Sequence, residues 1–527
     1  MILVSLFVFL WMLVAFFDYA EFCYLWQLKE YRLDRFKDFI STKQGKSFLK
    51  SYLISGRMVL LAAAIFIWTL KNESAFYIFL VIIIFEIIRL VRKFLKKQIN
   101  RPKLTIKTFL ILAGAIVAEI FVLYFSSSLP AVLAAYAFRF VIISIVVSLF
   151  FIPTKIVKIA VVRMAARKLR GYPNLYVIGI TGSYGKSTVK NFLTQILGSQ
   201  LKVVMTPKNI NTEIGIAKFI LKNNFSDKEI FVVEMGAYNV GEIKLICDMV
   251  HPSIGILTAI NEQHLSLFGS IKKIQKAKYE LLFSLPKNGL AIINADNQYC
   301  REFIHKLSCK TRTFGEEEKN DPNLLIKKVA QKEDGSIAFM FKLNGKIQNV
   351  FSNISGKHNA MNIAACILAA NALGMSMEKI IHNAKKLQLP EGTLQKYKYG
   401  ESVVIDDSYN ANPDGFAAAL AVLDGYSDEY KKIVITRGML ELGEKSSQLH
   451  QEIAVQISQV AKELMIFSSS NEDDLKIAEK KINVISTSSA IELRDYIRKF
   501  KKQKAVVLIE NRIPENIINE IRKVPRV

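Results

Sequence analysis

Residues 182–188 read Gly-Ser-Tyr-Gly-Lys-Ser-Thr, between the apolar, β-branched run LYVIGIT (175–181) and a segment with helix-like patterning. These residue types, in this order, suit a phosphate. Glycines let the backbone curl until its N–H groups converge on anionic oxygens. Lys186 brings a point charge for terminal phosphates, and the Ser187 hydroxyl is a ligand for Mg²⁺. The N-terminus of the following helix adds partial positive charge. The spacing departs from GxxxxGK[ST]: Ile180 stands five residues before Gly185, and the nearest upstream glycines are Gly182 and Gly179. A glycine-rich turn without function is the alternative. The strand before, the helix after and the GKS triplet favour a phosphate loop.

Such a loop needs a sheet and a helix to hold it. From Leu175 onward, short runs (LYVIGIT, KVVMT, IFVVEMG, SIGILTAI, GLAIINAD) alternate with amphipathic stretches, which predicts a parallel sheet with helices on its faces. Beyond residue 391 the runs SVVIDD, KIVITRG, ELMIFSS and KAVVLIEN alternate with further helical patterns. They predict an open, Rossmann-like α/β sheet.

The first 160 residues are of another kind. The 527-residue chain is 51% hydrophobic yet carries a formal net charge of +25, a pairing that points to a membrane protein or a nucleic-acid binder. Five apolar runs occur at 1–17, 52–70, 75–91, 108–125 and 130–152, against the about 20 residues that a helix needs to cross a bilayer core. The first lacks the basic start and small-residue cleavage site of a signal peptide, so it reads as retained. Segments 27–51, 92–107 and 154–170 are crowded with Lys and Arg, whereas KNES (71–74) and SSSL (126–129) hold a single Lys. The positive-inside rule then predicts an outside N-terminus, five transmembrane helices, and everything after residue 153 in the cytoplasm. Because the basic excess sits where loop topology places it, a nucleic-acid partner is excluded. Glu86, Glu119 and Arg139 lie in or beside the runs. Counting back from SSSL puts Glu119 and Arg139 at similar depth, either as a structural ion pair or as a site for a lipid headgroup or substrate. Cys23, Cys247, Cys300, Cys309 and Cys366 are scattered, with no metal-ligand spacing and no disulfide framework.

GITGSYGKST (179–188) resembles the ATP loop of the Mur ligases, which build the peptide of bacterial cell-wall precursors by ATP-driven amide formation. The similarity continues in order through TPKNINTEIG (206–215), VVEMGAYNVGEI (232–243), NEQHLSLFGSIKKIQKAKYELL (261–282), SGKHNAMNIAAC (355–366), IDDSYNANPDGFAAAL (405–420) and GMLELGEKSSQLH (438–450). The last two are most similar to the family's members that add D-alanyl-D-alanine to a UDP-N-acetylmuramoyl tripeptide. The resemblance implies Mg²⁺·ATP bound by Thr181, Gly182, Ser183, Tyr184, Gly185, Lys186, Ser187 and Thr188, and substrate contacts from Asn209 and Asn211.

Joining a carboxylate to an amine with ATP requires an acyl phosphate, so charge must be neutralised where a carboxylate oxygen meets the γ-phosphorus. Glu234 ends a buried-type strand, where a carboxylate can reach a metal beside the phosphates or merely cap local structure. A lone histidine such as His264 is more often structural, but the family order makes it a candidate ligand. Lys278 on an amphipathic helix is by default solvated; in the family the lysine of this motif is carbamylated and helps to hold Mg²⁺. His358, Asn359 and Asn362 open a helix as caps or, as the resemblance implies, contact the adenine side of ATP. Asp407, Tyr409, Asn410 and Asn412 lie in a turn-forming segment that the resemblance aims across an interdomain cleft, whose closure keeps water from the acyl phosphate.

Three departures bear on substrate. About 20 residues separate the last run from the phosphate loop, too few for a UDP-binding domain. Thr393 stands where an arginine is expected, and Arg437-Gly438 where Gly-Asp is expected, so Arg437 is a candidate to supply the missing cation to the nucleotide. The expected organisation is a membrane region at 1–160, a central ATP-binding domain at 171–390 and a C-terminal domain at 391–527. The expected function is ATP-dependent addition of D-Ala-D-Ala to a muramoyl-tripeptide precursor on the cytoplasmic membrane. Ligation to a lipid-linked precursor or poly-glutamate, and a non-catalytic ATP-binding scaffold, are the alternatives.

Overall fold

The computed structural model describes residues 2–526 except 42, 70–74, 96–98, 126–128, 209, 333–334, 410, 441 and 469. It divides into two compact units, Met1–Ile159 and Ala160–Val527.

The first unit is helical. Three segments among the described residues are long and apolar enough to cross a membrane: Val8–Leu28, Ile106–Phe125 and Arg139–Arg170, with mean hydropathy 1.6, 2.3 and 2.4. The run at 1–17 does not stop at Asp18 but continues as one helix, Ile2–Leu28. Its terminating charge is neutralised inside the unit, so nothing forces the helix to end there. The run at 52–70 opens in a π-turn, Tyr52–Gly56, and continues as the helix Arg57–Thr69. The run at 75–91 lies in Ala75–Leu95, and that at 130–152 is divided between Leu129–Ala137, Arg139–Leu149 and the start of Phe151–Arg170. The segments 71–74 and 126–128 used to orient the runs lie outside the described residues.

Among the described residues, five charges of this unit are buried, and they find one another. Arg139 holds Glu119 at 2.7 Å and Asp18 at 2.9 Å. Arg57 reaches Asp18 at 2.7 Å and Glu86 at 2.6 Å, and Arg89 reaches the same two carboxylates at 2.8 and 2.6 Å. Trp11 donates to Glu119 at 2.8 Å, Tyr19 to Glu119 at 2.5 Å, and Tyr136 to Glu86. Three carboxylates thus meet three guanidinium groups, which offsets the burial of five of them and the partial burial of Arg89. The pairing of Glu119 with Arg139 is the structural alternative of the sequence reading, enlarged by Asp18, Arg57 and Arg89.

In the second unit the first sheet has nine strands. They are β1 (Tyr176–Thr181), β2 (Val203–Met205), β3 (Ile230–Glu234), β4 (Ile254–Leu257), β5 (Leu290–Asn294), β6 (Lys310–Gly315), β7 (Leu324–Gln331), β8 (Ile337–Leu343) and β9 (Lys346–Ser352), in the order β2-β3-β1-β4-β5-β6-β7-β8-β9. Strands β1–β7 run parallel, as the alternation of apolar runs and helices predicts; β8 and β9 add antiparallel pairs. The β8–β9 turn is Asn344-Gly345, with φ of 50° and 79°. Positive φ at both central residues matches the right-handed twist of a hairpin. Helices Lys186–Leu197 and Asn359–Ala372 cover one face, and Glu213–Lys222, Glu242–Val250 and Ile271–Phe283 contribute to the core on the other.

The second sheet comprises β10 (Gln395–Tyr399), β11 (Ser402–Asp407), β12 (Lys431–Thr436), β13 (Glu463–Phe467), β14 (Asn483–Thr487) and β15 (Ala505–Glu510), ordered β10-β11-β15-β12-β13-β14. All neighbours are parallel except β10–β11.

Arg139→Leu leaves Glu119 buried with its Trp11 and Tyr19 donors but without its cation, and is expected to cost about 3–5 kcal/mol of stability. Arg139→Leu with Glu119→Leu is expected to recover part of that loss. Thermal unfolding of the detergent-purified chain measures both; an unchanged midpoint for the single variant contradicts the network's role.

Candidate active site

The phosphate loop is shaped by contacts that only glycine tolerates. Gly182 has φ 150°, and a Cβ there would collide with the Thr258 hydroxyl; Gly185 has φ 79°, with Asn362 Oδ1 2.8 Å from where its Cβ would stand. Ser183 N donates to the Ala259 carbonyl at 2.7 Å, and Asn261 N donates to Ser183 Oγ at 3.0 Å. Thr258 donates its hydroxyl proton to the Tyr184 carbonyl, and Thr181 Oγ1 donates to the Met235 carbonyl at 2.9 Å. The loop is therefore tied to residues that follow β3 and β4, at the carboxyl ends of the strands where ligands of such sheets bind. Lys186 Nζ donates to the carbonyls of Gly182 and Ser183 at 2.6 and 3.0 Å. Burial draws its basicity below that of a free lysine, with Glu234 opposing. Thr188 lies in the first turn of the helix.

Glu234 is the hub. It is buried at the end of β3, and its carboxylate accepts from Ser187 Oγ at 2.9 Å and Asn211 Nδ2 at 3.1 Å. Lys190, one helical turn beyond Lys186, pairs with it at 2.9 Å. Burial alone would raise its pKa, but Lys190 and Lys186 outweigh that and hold the carboxyl below its ordinary range. Sequence reasoning missed Lys190, because a lysine four residues into a helix is by default solvated; this one is 2% exposed.

Lys278 is also 2% exposed, in the helix Ile271–Phe283, and makes no hydrogen bond or ion pair with the described residues. Burial and then the charge of Lys186 bring its pKa well below that of a free lysine; Glu242, Glu234 and Glu280 oppose without cancelling this. The structure thus brings Lys186, Ser187, Glu234 and Lys278 into one electrostatic environment. His264 sits in the left-handed region at φ 64°, with its ring edge-on to Tyr238 at 4.9 Å. Glu280 accepts from Gly241 N at 2.5 Å and Lys244 N at 2.9 Å, and so caps the helix Glu242–Val250. Among the described residues no group of three or more His, Cys, Asp or Glu could hold a metal ion. The neighbouring hard oxygens of Ser187 and Glu234 nevertheless suit Mg²⁺, which takes few protein ligands and completes its shell with phosphate and water.

The second sheet faces this loop. Asn261 donates to Asp414 at 2.6 Å and to Asn412 Oδ1 at 3.4 Å, and Lys445 pairs with Glu262 at 3.0 Å. Asn412 Oδ1 also accepts from Gly415 N at 3.1 Å, the helix-cap role that its turn-rich setting predicts. Burial, and then Glu234, raise the pKa of the Tyr409 phenol, while Ser187 and Arg512 lower it. Tyr409 therefore lies near the hub. Asn209 and Asn410 fall outside the described residues.

Asp407 ends β11 opposite Glu510 of β15 and accepts from Leu394 N at 3.2 Å. Burial pushes Asp407 up to about 7, and burial and Asp407 push Glu510 well above the carboxylate range. Asn359 Nδ2 donates to the Ser355 carbonyl at 2.7 Å and its Oδ1 accepts from Asn362 at 2.9 Å, whereas His358 is exposed. The guanidinium beside Gly392, next to Thr393, belongs to Arg522, which holds Asp406 at 2.9 Å and Glu391 at 3.1 Å. Arg437 is half-buried at the end of β12.

Residues 180–370 match the Mur ligase middle domain, and residues 394–518 match the Mur ligase, glutamate ligase domain. The chain is 33% identical over 283 residues to the UDP-N-acetylmuramoyl-tripeptide–D-alanyl-D-alanine ligase of Bacillus subtilis (strain 168), over 54% of this chain and 60% of that one. Against the enzyme of that name from Haemophilus influenzae the identity is 29% over 357 residues, 67% of this chain and 74% of that one. Among solved structures, the MurF ligase of Thermotoga maritima in complex with ADP is similar with a TM-score of 0.62 and 26% identity, over 69% of this chain and 83% of that one. The chain spans about 60% of the length of the first curated relatives it matches.

Glu234 has a folded pKa below its unfolded value, so its contribution to stability is present above the unfolded pKa and is lost as pH falls through the folded one. Lys190→Met removes the main cation and is expected to raise that carboxyl's pKa, moving acid unfolding to higher pH at a cost of about 3–5 kcal/mol near neutrality. Circular dichroism against pH checks this; an unshifted acid midpoint contradicts it.

Proposed function

This chain belongs to the Mur ligase family, and we propose that it is an ATP-dependent amide ligase that adds D-alanyl-D-alanine to a muramoyl-tripeptide cell-wall precursor. The observation that carries the reading is the convergence of Lys186, Ser187, Glu234 and Lys278 on one loop. A non-catalytic ATP-binding scaffold has no use for an ionised carboxylate and a buried amine beside that loop.

In this reading Thr181–Thr188 cradle the phosphates of ATP, and Lys186 exchanges loop carbonyls for phosphate oxygens. Ser187 and Glu234, with His264 and carbamylated Lys278 completing the set, would hold Mg²⁺, which would supply charge neutralisation at the γ-phosphate. Asn362 and Asn359 lie on the nucleotide side with His358. Asn209 and Asn211 serve the precursor, and Asp407, Tyr409, Asn410 and Asn412 close the cleft from residues 391–527 over 171–390. Closure keeps water from the acyl phosphate until the amine attacks, giving amide and inorganic phosphate.

Carbamylation rests on the state of Lys278. A buried amine kept neutral can add CO₂, its lone pair forming the N–C bond while a proton leaves to solvent. The resulting anion would answer the positive charge of Lys186. The N-terminal helices support a second element: three long apolar segments suit a bilayer, with residues 171–527 on the cytoplasmic side. That placement favours a lipid-linked acceptor as the alternative to a UDP-linked one.

Detergent-purified protein with Mg²⁺·ATP, D-Ala-D-Ala and UDP-N-acetylmuramoyl tripeptide is expected to release phosphate only when both acceptor and dipeptide are present, with the pentapeptide product seen by mass. Release only with the lipid-linked acceptor supports the alternative; none with either overturns the ligase reading. Lys278→Ala is expected to lower kcat about 10–100-fold, the scale of losing a group that tunes a metal site. It should also abolish a carbamate carbon signal after ¹³C-bicarbonate labelling; a wild-type chain without that signal contradicts carbamylation.

A further inference from the structure

Arg437 is so far only a candidate cation for the nucleotide, and Arg512 has no place in the reaction as described. They follow β12 and β15, neighbouring parallel strands whose last residues, Thr436 and Glu510, are in register. Both therefore rise from the carboxyl end of the sheet. Asn511 staples the two loops together. It occupies the left-handed region at φ 70°, donates its amide to the Gly438 carbonyl, and accepts from Arg512 N at 2.7 Å. The guanidinium groups are close enough that burial and then the charge of Arg512 lower the basicity of Arg437.

Neither arginine makes an ion pair or a side-chain hydrogen bond with the described residues, in contrast to Arg522, which is held by Asp406, Glu391 and Ser408. The nearby acids do not pair with them: Glu510 stands opposite Asp407 in register with neither of its own carboxylate oxygens hydrogen-bonded, and Asp406 belongs to Arg522. Lys208, which lies over the Tyr409 ring at 5.5 Å, is paired with Glu391 at 3.3 Å. Two adjacent, unpaired guanidinium groups repel, and their planar donor forks suit a shared oxyanion. The charge of Arg512 acts on Tyr409, which also feels Glu234 and Ser187.

We propose that Arg437 and Arg512 form a two-guanidinium oxyanion subsite on the C-terminal wall of the cleft. Two sources share that chemistry: the terminal carboxylate of the incoming dipeptide and the phosphoryl group in transfer. The proposal rests on the ligase reading and adds Arg512 as a substrate-positioning residue.

The test compares the full-length chain with Arg512→Ala, Arg437→Ala and Arg512→Lys, all first checked for an unchanged thermal midpoint. Equilibrium binding of D-Ala-D-Ala in the presence of Mg²⁺·ADP, and of Mg²⁺·ATPγS, is measured beside kcat and both KM values. Loss of charged hydrogen bonds to a carboxylate is expected to weaken dipeptide binding about 10–100-fold, with nucleotide binding unchanged. The dipeptide carboxamide should then bind wild type and variant equally. If the phosphoryl group is the ligand, kcat and ATPγS binding fall and the dipeptide is unaffected. Binding of both probes to both alanine variants within twofold of wild type overturns the subsite. A wild-type chain that binds them but releases no phosphate overturns the ligase reading instead.

Discussion

An ionised carboxylate kept inside the protein sets the terms for the rest of the second unit. Glu234 stays charged because Lys190 meets it at 2.9 Å, Lys186 adds its charge, and Ser187 and Asn211 donate to it. Those partners come from the helix after the phosphate loop and from the chain after β2, while Glu234 itself ends β3. Satisfying one carboxylate therefore registers the helix against the sheet and presents Ser187 beside a second hard oxygen. A neutral side chain at position 234 would leave the Lys190 ammonium buried without an anion, a greater penalty than the loss of one hydrogen bond.

Local pattern reads the strands well and long-range pairing poorly. The five runs from LYVIGIT to GLAIINAD became β1–β5, because a buried parallel strand needs continuous apolar residues. The hairpin β8–β9 escaped notice although Asn344-Gly345 between alternating residues was its signal. β10, reading QKYKY, hides because an edge strand buries only every second side chain. Motif order singles out Lys186, Ser187, Glu234 and Lys278, which the fold brings into one electrostatic environment. It did not find Lys190, Arg522 or Glu510, whose roles depend on which way a helix turns or on strand register between segments about a hundred residues apart.

The helical unit shows the same divide. Glu119 and Arg139 could be matched because their runs are consecutive in the sequence and depth follows from counting. Asp18, Arg57 and Arg89 could not, since their meeting depends on how separate helices rotate about their axes. Depth is legible from rise per residue; rotation is settled by packing. The network explains why Ile2–Leu28 passes its first acidic residue without a break, a boundary that hydropathy alone places too early.

The order of the second sheet carries a consequence for how the protein is made. β15 is the last strand in the chain, yet it lies between β11 and β12 near the middle of the sheet. A ribosome delivers β10–β14 first, with a gap where the central strand belongs, so the two halves have no ladder to share until residues 505–510 emerge. The helical segments and the phosphate loop are complete long before that moment. Synthesis thus completes the phosphate loop while the second sheet is still unfinished, and a nascent chain that stalls before residue 505 carries that loop without the strand that joins β11 to β12.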